Sequence, residues 1–260
     1  MNLVKYLLRN LLPHGFVERH RRDSRLNMLG LRSNQYSALE LEAAANFCRF
    51  ELWPTELKYE PQKWTLVDVG ANNGNFVAAV LKLVKPLEVI AIEPLPECQD
   101  SLRRILLGVQ NAQLIPAVAG SKPGTVEINC TKDSKMSSVL QPLDTIETSY
   151  ETGALTVSSK CCVPVVLLDD VVSTSSTVGL LKIDVQGYEM EVLRGAVRTL
   201  SQTLAVQIEI NYAPHYVGAV TFEEIHDFLH AAGFRLYGVS APYFGNHQPL
   251  WADALYLHSN

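Results

Sequence analysis

Two acidic residues, each placed where an apolar run gives way to a turn, could together hold a ligand with a cationic amine and a ribose. Asp68 lies just before a turn that contains Gly70 and Gly74, and glycine allows the backbone to approach a ligand closely. Glu93 follows the next apolar run, where an acidic side chain can accept both hydroxyls of a ribose. A carboxylate repels phosphates, so Asp68 favours a cationic amine over a pyrophosphate.

The turn between Gly70 and Gly74 differs from the pattern that binds dinucleotides. That pattern is Gly-x-Gly-x-x-Gly, whereas here Asn72 occupies the middle position. Asparagine tolerates left-handed backbone better than most residues, so the turn can still form. A nicotinamide-dependent oxidoreductase of Rossmann type remains an alternative, although the sequence lacks the glycine pattern that is typical of that class. A further alternative is an ordinary strand-turn-helix unit with Glu93 as a solvated turn residue.

A second candidate site element lies between residues 180 and 196. The apolar run 180–183 predicts a buried strand that ends at Asp184, and Gly187 permits a turn into the next helix. In an open α/β sheet, ligands bind outside the carboxyl ends of the strands. We therefore expect Asp184 to face the same crevice as Asp68.

Lys182 is unusual because it lies within that apolar strand. A buried lysine needs a carboxylate partner, and a structural ion pair with Glu189, Asp169 or Glu209 is as reasonable as a catalytic role. Glu189 stands in the first turn of a helix, where a carboxylate complements the helix dipole without any chemistry.

Two further residues could accept a proton from a hydroxyl nucleophile. The run 205–210 carries Glu209 near its end, and His215 follows on a loop at the same predicted edge. A loop histidine with a near-neutral pKa suits a general base, although exposed histidines without function are common. Asp184, Glu209 and His215 could alternatively bind a divalent metal, but their spacing is not a metal motif.

The elements that must position these residues follow an α/β pattern. From residue 64 onward, apolar strand runs alternate with helical patterns, which indicates a parallel sheet with helices on both faces. Thr221 and Glu224 predict a capping box at the start of one helix. An inserted β-rich flap is expected from 125–130, 138–141 and 160–168. The predicted strands are 64–69, 87–92, 112–117, 178–183, 203–210, 234–239 and 252–257, the last pair antiparallel.

Residues 1–60 differ from the domain that follows at 61–260. Leucines at 3, 7, 8, 11 and 12 make one apolar helical stripe, and four arginines follow between 19 and 25. The stripe predicts a helix that packs on its own domain or on a second copy in a homodimer. It could also touch a membrane surface with the basic cluster beside it. A second helix is expected at about 36–50.

Composition limits the classes of function. The 260 residues are 47% apolar, with 27 acidic and 22 basic side chains and a net charge of −5, so no nucleic-acid partner is expected. Five cysteines without Cys-x-x-Cys spacing argue against a disulfide framework or a structural zinc site. Residues 129–131 form a glycosylation sequon. The chain shows no signal-peptide pattern and no apolar run of membrane-spanning length, so a cytoplasmic location is expected.

Together these segments resemble the FkbM family of S-adenosylmethionine-dependent methyltransferases. The resemblance is carried by 67–74 with Glu93-Pro94, by 167–170, and by 181–189 continuing to 193–196. Residues 136–139 resemble the short serine-bearing element of that family. The resemblance covers about residues 64 to 257 and does not include the first 60.

The resemblance implies a Rossmann-like class I methyltransferase fold, a seven-stranded, mostly parallel sheet whose last strand is antiparallel. It also implies S-adenosylmethionine as cofactor and O-methylation of a sugar, a glycan or a small natural product. The proton would pass to Asp184, Glu209 or His215, with Lys182 or Glu189 shaping the pocket. A non-catalytic cofactor-binding protein is the remaining alternative. The cofactor-binding residues implied are Asp68, Gly70, Ala71, Asn72, Asn73, Gly74, Asn75, Phe76, Glu93, Pro94, Ala117, Val118, Ala119 and Asp184.

Overall fold

The predicted alternation of strands and helices is present in the computed structural model, which describes residues 60–143, 153–240, 242–245 and 248–259. The N-terminal leucine stripe, the arginine cluster and the second helix lie outside the described residues. The same is true of the membrane and homodimer interpretations that depend on them. No helix in the described part of the chain combines the length and the apolar character needed to cross a membrane.

Eleven strands and six α-helices make up the described fold. The strands are β1 (Thr65–Val69), β2 (Glu88–Ile92), β3 (Ala112–Ile115), β4 (Val118–Ala119), β5 (Gly124–Thr131), β6 (Val157–Val166), β7 (Val178–Ile183), β8 (Thr203–Asn211), β9 (Phe234–Val239), β10 (Tyr243–Gly245) and β11 (Gln248–His258). The α-helices are α1 (Asn75–Leu83), α2 (Pro96–Leu106), α3 (Leu168–Val171), α4 (Glu189–Arg194), α5 (Val197–Ser201) and α6 (Phe222–Ala231). Short 3-10 helices span Pro61–Lys63 and Ser134–Met136.

The main sheet has the strand order β3-β2-β1-β7-β8-β11, with β9 and β10 both pairing with the far side of β11. Strands β3, β2, β1, β7 and β8 are parallel, whereas β11 is antiparallel to β8 and to β9. This confirms the predicted mostly parallel sheet with an antiparallel last strand.

The predicted number of strands is wrong, because the described sheet has eight strands and the sequence predicted seven. The additional strand is β10, which is only three residues long and gives no periodic signal. Tyr243 stacks on Trp251 of β11 with a centroid distance of 5.2 Å, and this contact holds β10 against the longer strand.

Alternation along the strands gives each face of the sheet its own core. Val67, Leu181 and Val206 point toward the face covered by α4, α5 and α6. Leu66 and Leu180 point toward the opposite face, covered by α1 and α2. Two residues after Leu66 and Leu180, the same face carries the polar side chains of Asp68 and Lys182, near the carboxyl ends of β1 and β7. In the register of the sheet, Lys182 lies between Asp68 of β1 and Gln207 of β8.

The predicted flap is a separate three-stranded sheet in the order β4-β6-β5. The strand expected at 138–141 is instead a turn that makes one isolated bridge, from Ser138 to Asn129. The Asn129 side chain is 5% exposed and donates to the carbonyl oxygens of 138–140. The sequon at Asn129 is therefore inaccessible in the folded protein.

The capping box at the start of α6 is present as predicted. The Thr221 side chain accepts from the Glu224 amide, and the Glu224 carboxylate accepts from the Thr221 amide at 2.9 Å. These contacts satisfy two amides at the helix start, which fixes where α6 begins.

Candidate functional site

The glycine turn after β1 forms through left-handed backbone at three positions. Gly70, Asn72 and Gly74 have φ angles of +78°, +46° and +82°. The Gly70 amide donates to the Ile92 carbonyl at 3.0 Å, and a Cβ at Gly70 would lie 1.9 Å from the carbonyl oxygen of Asp184. The turn thus draws the ends of β1, β2 and β7 together in a way that only glycine permits at position 70.

Glu93 is a buried loop residue that ties two turns together, and it is not the solvated turn residue of the alternative interpretation. Its Oε2 accepts from the Asn72 amide at 2.7 Å, and its Oε1 accepts from the Leu95 amide at 2.8 Å. Burial raises the pKa of Glu93 to about 7, although both backbone hydrogen bonds oppose that rise. Each carboxylate oxygen keeps a second lone pair, so Glu93 can still accept from hydroxyl groups.

Asp68 is fully buried, and neither of its carboxylate oxygens accepts a hydrogen bond from the described residues. The nearest cation is the Lys182 ammonium, 3.8 Å from Asp68 Oδ1. Burial raises the pKa of Asp68 to about 6; Lys182 opposes the rise and Asp184 adds to it. A buried carboxylate without hydrogen bonds is costly, so this position suits a ligand that supplies a cationic donor.

Lys182 pairs with two aspartates, Asp68 and Asp184. The predicted pairing with Glu189, Asp169 or Glu209 is therefore wrong. The Lys182 ammonium donates to Asp184 Oδ2 at 3.1 Å and lies 5.3 Å from the centroid of the Phe76 ring. Burial lowers the pKa of Lys182, but the carboxylates of Asp184, Asp68 and Asp253 raise it by more, so Lys182 remains charged. Asp68 on β1 is the direct neighbour of Lys182 on β7, and this register is set by the packing of the sheet and not by the local sequence.

Two of the expected partners of Lys182 have structural roles instead. Asp169 accepts from the backbone amides at the start of α5, at 2.9 and 2.7 Å. Glu189 Oε1 accepts from the amides of Val185 and Gly187 at 3.2 and 3.0 Å, which closes the turn after β7. Burial raises the pKa of Glu189 to about 7.

Gln186 links two of the three predicted proton acceptors, Asp184 and Glu209. Its Nε2 donates to Asp184 Oδ1 at 2.8 Å and faces Glu209 Oε1 at 3.3 Å, while its Oε1 lies 2.9 Å from the Tyr216 hydroxyl. The Gln186 backbone is left-handed, with a φ angle of +57°. The structure therefore brings Asp184 and Glu209 to one side chain at the carboxyl edge of the sheet.

Asp253 belongs to the same group of carboxylates, although it was not predicted from the sequence. It lies directly opposite Glu209 in the β8–β11 pair. Burial and the charge of Asp184 raise the pKa of Asp253 to about 7, and the same two causes hold the pKa of Glu209 well above its ordinary value. An acidic residue inside the apolar run 250–257 was the available signal.

His215 differs from the expected exposed loop histidine. It is 1% exposed, and burial lowers its pKa to about 4. The premise of a near-neutral pKa is therefore wrong, because the loop folds against 141–143 with the His215 carbonyl accepting from the Leu143 amide at 2.9 Å. Within the described ranges, no group of three or more His, Cys, Asp or Glu side chains is arranged to hold a metal ion, so Asp184, Glu209 and His215 form no such site.

The remaining predicted cofactor residues border the same edge. The amide of Asn73 donates to Asn72 Oδ1 at 2.9 Å, and Asn75 is the first residue of α1. Ala71 is buried beside α1, and Pro94 lies between Glu93 and the start of α2 at Pro96. The buried Ala117, Val118 and Ala119 follow β3, whose Ile115 carbonyl accepts from the Glu93 amide at 3.0 Å.

Stability should fall as pH rises from 6.5 to 8, by about 1–2 kcal/mol. The pKa values of Glu93, Glu189 and Asp253 are raised to about 7, and that of Asp68 to about 6, so the folded state binds more protons than the unfolded chain in this range. His215 has a lowered pKa, so it opposes this trend, most strongly below its ordinary value of 6.5 and only weakly above it. Urea unfolding at constant ionic strength measures the difference, and an equal or higher midpoint at pH 8 would contradict it.

The sheet order, the antiparallel β11 and the acidic glycine turn at the carboxyl edge define a Rossmann-like class I methyltransferase fold. The family model described as the methyltransferase FkbM domain matches residues 68–236. The chain therefore belongs to the FkbM methyltransferase family, as its resemblance implied.

Solved methyltransferase structures are similar to this chain. The methyltransferase FkbM from Methylobacillus flagellatus KT is 15% identical with a TM-score of 0.53, and the match covers 92% of this chain and 59% of that one. This chain thus spans less than two thirds of that relative. A putative RNA methyltransferase from Pyrococcus horikoshii is 12% identical, with coverages of 92% and 96% and a TM-score of 0.43. Magnesium protoporphyrin IX methyltransferase from Synechocystis PCC 6803, solved with bound SAM, is 8% identical, with coverages of 75% and 69% and a TM-score of 0.42. No curated protein matches significantly.

Proposed function

We propose that this protein is an S-adenosylmethionine-dependent methyltransferase that methylates a hydroxyl of a sugar, a glycan or a small natural product. The observation that carries the proposal is the fully buried Asp68 beside a left-handed glycine turn, since its two carboxylate oxygens accept no hydrogen bond from the part of the chain that the structure describes. Membership of the FkbM family supports the reaction class.

The residues at the carboxyl edge fit this cofactor. Asp68 would pair with the methionine amine, the turn 70–75 would approach the methionine part, and Glu93 would accept the ribose hydroxyls. Ala117 to Ala119 offer a buried apolar border for the adenine. When bound, S-adenosylmethionine supplies an electrophilic methyl group on a sulfonium. The task left to the protein is to align an acceptor oxygen and to take its proton.

Glu209 is the best placed proton acceptor. Burial and the charge of Asp184 raise its pKa well above the ordinary value, so its carboxylate is a stronger base than an exposed one. Gln186 holds Asp184 and Glu209 close together, while the lowered pKa of His215 makes it a weaker base. Lys182 holds Asp184 in place through its hydrogen bond to Oδ2 at 3.1 Å.

The acceptor would be bound where the flap meets the loop 211–220. Tyr216 bridges to Pro142, and the Val217 amide donates to the Gln141 carbonyl at 2.8 Å, so the two segments form one wall. The Tyr216 hydroxyl also lies 2.9 Å from the Met136 carbonyl oxygen. We propose a small-molecule or glycan acceptor at this wall, since a net charge of −5 disfavours a nucleic acid.

Calorimetry separates this proposal from its alternatives. S-adenosylmethionine and S-adenosylhomocysteine should bind, and NAD should not, because Asn72 replaces the middle glycine of a pyrophosphate site. Binding of NAD alone would support the oxidoreductase. Binding of both sulfur compounds, with no methyl transfer to glycan, lipid-linked glycan or metabolite pools, would support a non-catalytic protein.

Asp68→Asn should weaken S-adenosylhomocysteine binding about thirty-fold, which corresponds to about 2 kcal/mol for a lost charge-assisted contact. Removing a buried carboxylate with a raised pKa should leave the midpoint of urea unfolding unchanged or higher. Calorimetry at pH 8 measures the affinity. The matched control is Asp169→Ala, which removes the contacts at the start of α5 and should lower stability while leaving affinity unchanged. Equal affinity in Asp68→Asn and wild type would exclude this role.

A further inference from the structure

The thiols of Cys130 and Cys161 face each other across the two long strands of the flap, with their sulfur atoms 3.3 Å apart. In the register of β5 and β6, Cys161 pairs with Ile128 and Cys130 pairs with Ser159, so the two cysteines are diagonal neighbours on one face. Both are free thiols, and both contact the apolar cluster that contains Leu95 and Val163. Bond formation shortens the distance between the sulfur atoms by about 1.2 Å, to the ~2.05 Å of a disulfide.

We propose that Cys130 and Cys161 form a modification site, an intramolecular disulfide that closes by exchange with a small disulfide such as oxidised glutathione. The Cys161 thiolate attacks one sulfur of the small disulfide, forms a mixed disulfide and releases one small thiol. The Cys130 thiolate then attacks the Cys161 sulfur and releases the second small thiol. The protein loses two electrons and two protons, and the small disulfide is reduced to two thiols.

Cys161 is the first nucleophile because it is partly exposed, whereas Cys130 is 7% exposed. Burial and the neighbouring Cys130 raise the pKa of Cys161 to about 12, so the thiolate is scarce at neutral pH and the exchange is slow. The site is therefore a slow, accumulating modification and not a rapid sensor.

The neighbouring cysteines provide internal controls. Cys162 is exposed and, as the next residue along β6, points to the opposite face from Cys161. Cys98 is buried on α2 in the same apolar cluster as Cys130. An intramolecular bond at Cys130 and Cys161, but not at these two, is the specific expectation of the geometry.

The bond would close the segment between the two strands, which includes the 3-10 helix Ser134–Met136. Ser134 Oγ accepts from Asn72 Nδ2 at 3.3 Å, so this segment contacts the glycine turn. A covalent link at the base of the flap restricts the unfolded chain more than the folded one, and Tm should rise by about 5 °C.

The test uses the full chain in equilibrium with reduced and oxidised glutathione, followed by blocking of free thiols, digestion and mass spectrometry. Cys161 and Cys162 stay on one peptide, so the assignment is made in Cys162→Ser. The oxidised Cys162→Ser protein should contain a peptide pair joined through Cys130 and Cys161, with the loss of two hydrogens and a higher Tm. Cys130→Ser, made in the same Cys162→Ser protein, should instead carry glutathione on Cys161 and show no rise in Tm.

Two outcomes would overturn the proposal. One is that Cys130 and Cys161 both remain free to react with the blocking reagent after denaturation, at an excess of oxidised glutathione that modifies Cys162 in the wild type. The other is that the bond forms to Cys98, with an equal yield in Cys161→Ser. None of these measurements uses methyl transfer, so they are independent of the proposed function.

Discussion

Gly70→Ala is expected to lower the free energy of unfolding by at least about 3 kcal/mol and to abolish S-adenosylhomocysteine binding. The backbone at Gly70 is left-handed with a φ angle of +78°, and the new Cβ would lie 1.9 Å from the Asp184 carbonyl oxygen. The obstacle is backbone at the end of β7, which cannot rotate away as a side chain could. Relief requires that β1 and β7 move apart where Asp68 and Lys182 meet.

The matched control is Gly218→Ala. Gly218 has a nearly identical φ angle of +75°, but nothing lies within 4 Å of the position of its Cβ. Gly218→Ala should lower the free energy of unfolding by only about 1 kcal/mol, because the left-handed backbone is its only source of strain. Urea unfolding followed by circular dichroism measures both variants, and calorimetry measures binding. Equal losses in the two variants would show that strain alone acts and that the close approach to Asp184 has no effect.

The fold was predictable because its signals are local. Apolar runs of strand length alternate with helical stripes, and Thr221 with Glu224 caps α6. The left-handed turn at Asn72 also follows from residue type. The strand β10 was missed since three residues have no periodicity, and its pairing depends on the stacking of Tyr243 on Trp251.

The candidate site was only partly predictable, since its chemistry depends on register and burial. Asp253 becomes a site residue because β11 runs antiparallel beside β8 and sets it opposite Glu209. Lys182 lies beside Asp68 because β1 pairs with β7, and this pairing cannot be read from the residues next to Lys182 in the sequence. His215 looks like an exposed base in the sequence, yet the flap buries it and lowers its pKa to about 4.

Glu209→Gln should reduce kcat by about 10²–10⁴-fold while S-adenosylhomocysteine affinity stays within about two-fold of wild type. Glutamine keeps the size of the side chain and its contact with Gln186, but it cannot accept a proton. The activity is measured as labelled methyl groups transferred from S-adenosylmethionine to a mixed glycan and metabolite extract. Glu191→Gln is the matched control, since Glu191 lies on α4 with Ser121 and Arg194 as partners, and its kcat should be unchanged.

The pH profile distinguishes a base from a structural carboxylate at Glu209. The pKa of Glu209 is raised by burial and by the charge of Asp184, so wild-type kcat should rise with pH until that carboxyl is ionised. Glu209→Gln should lose this rise together with the rate. If Glu209→Gln keeps both the rate and the profile while Asp184→Asn loses them, then Asp184 takes the proton and Glu209 only positions Gln186.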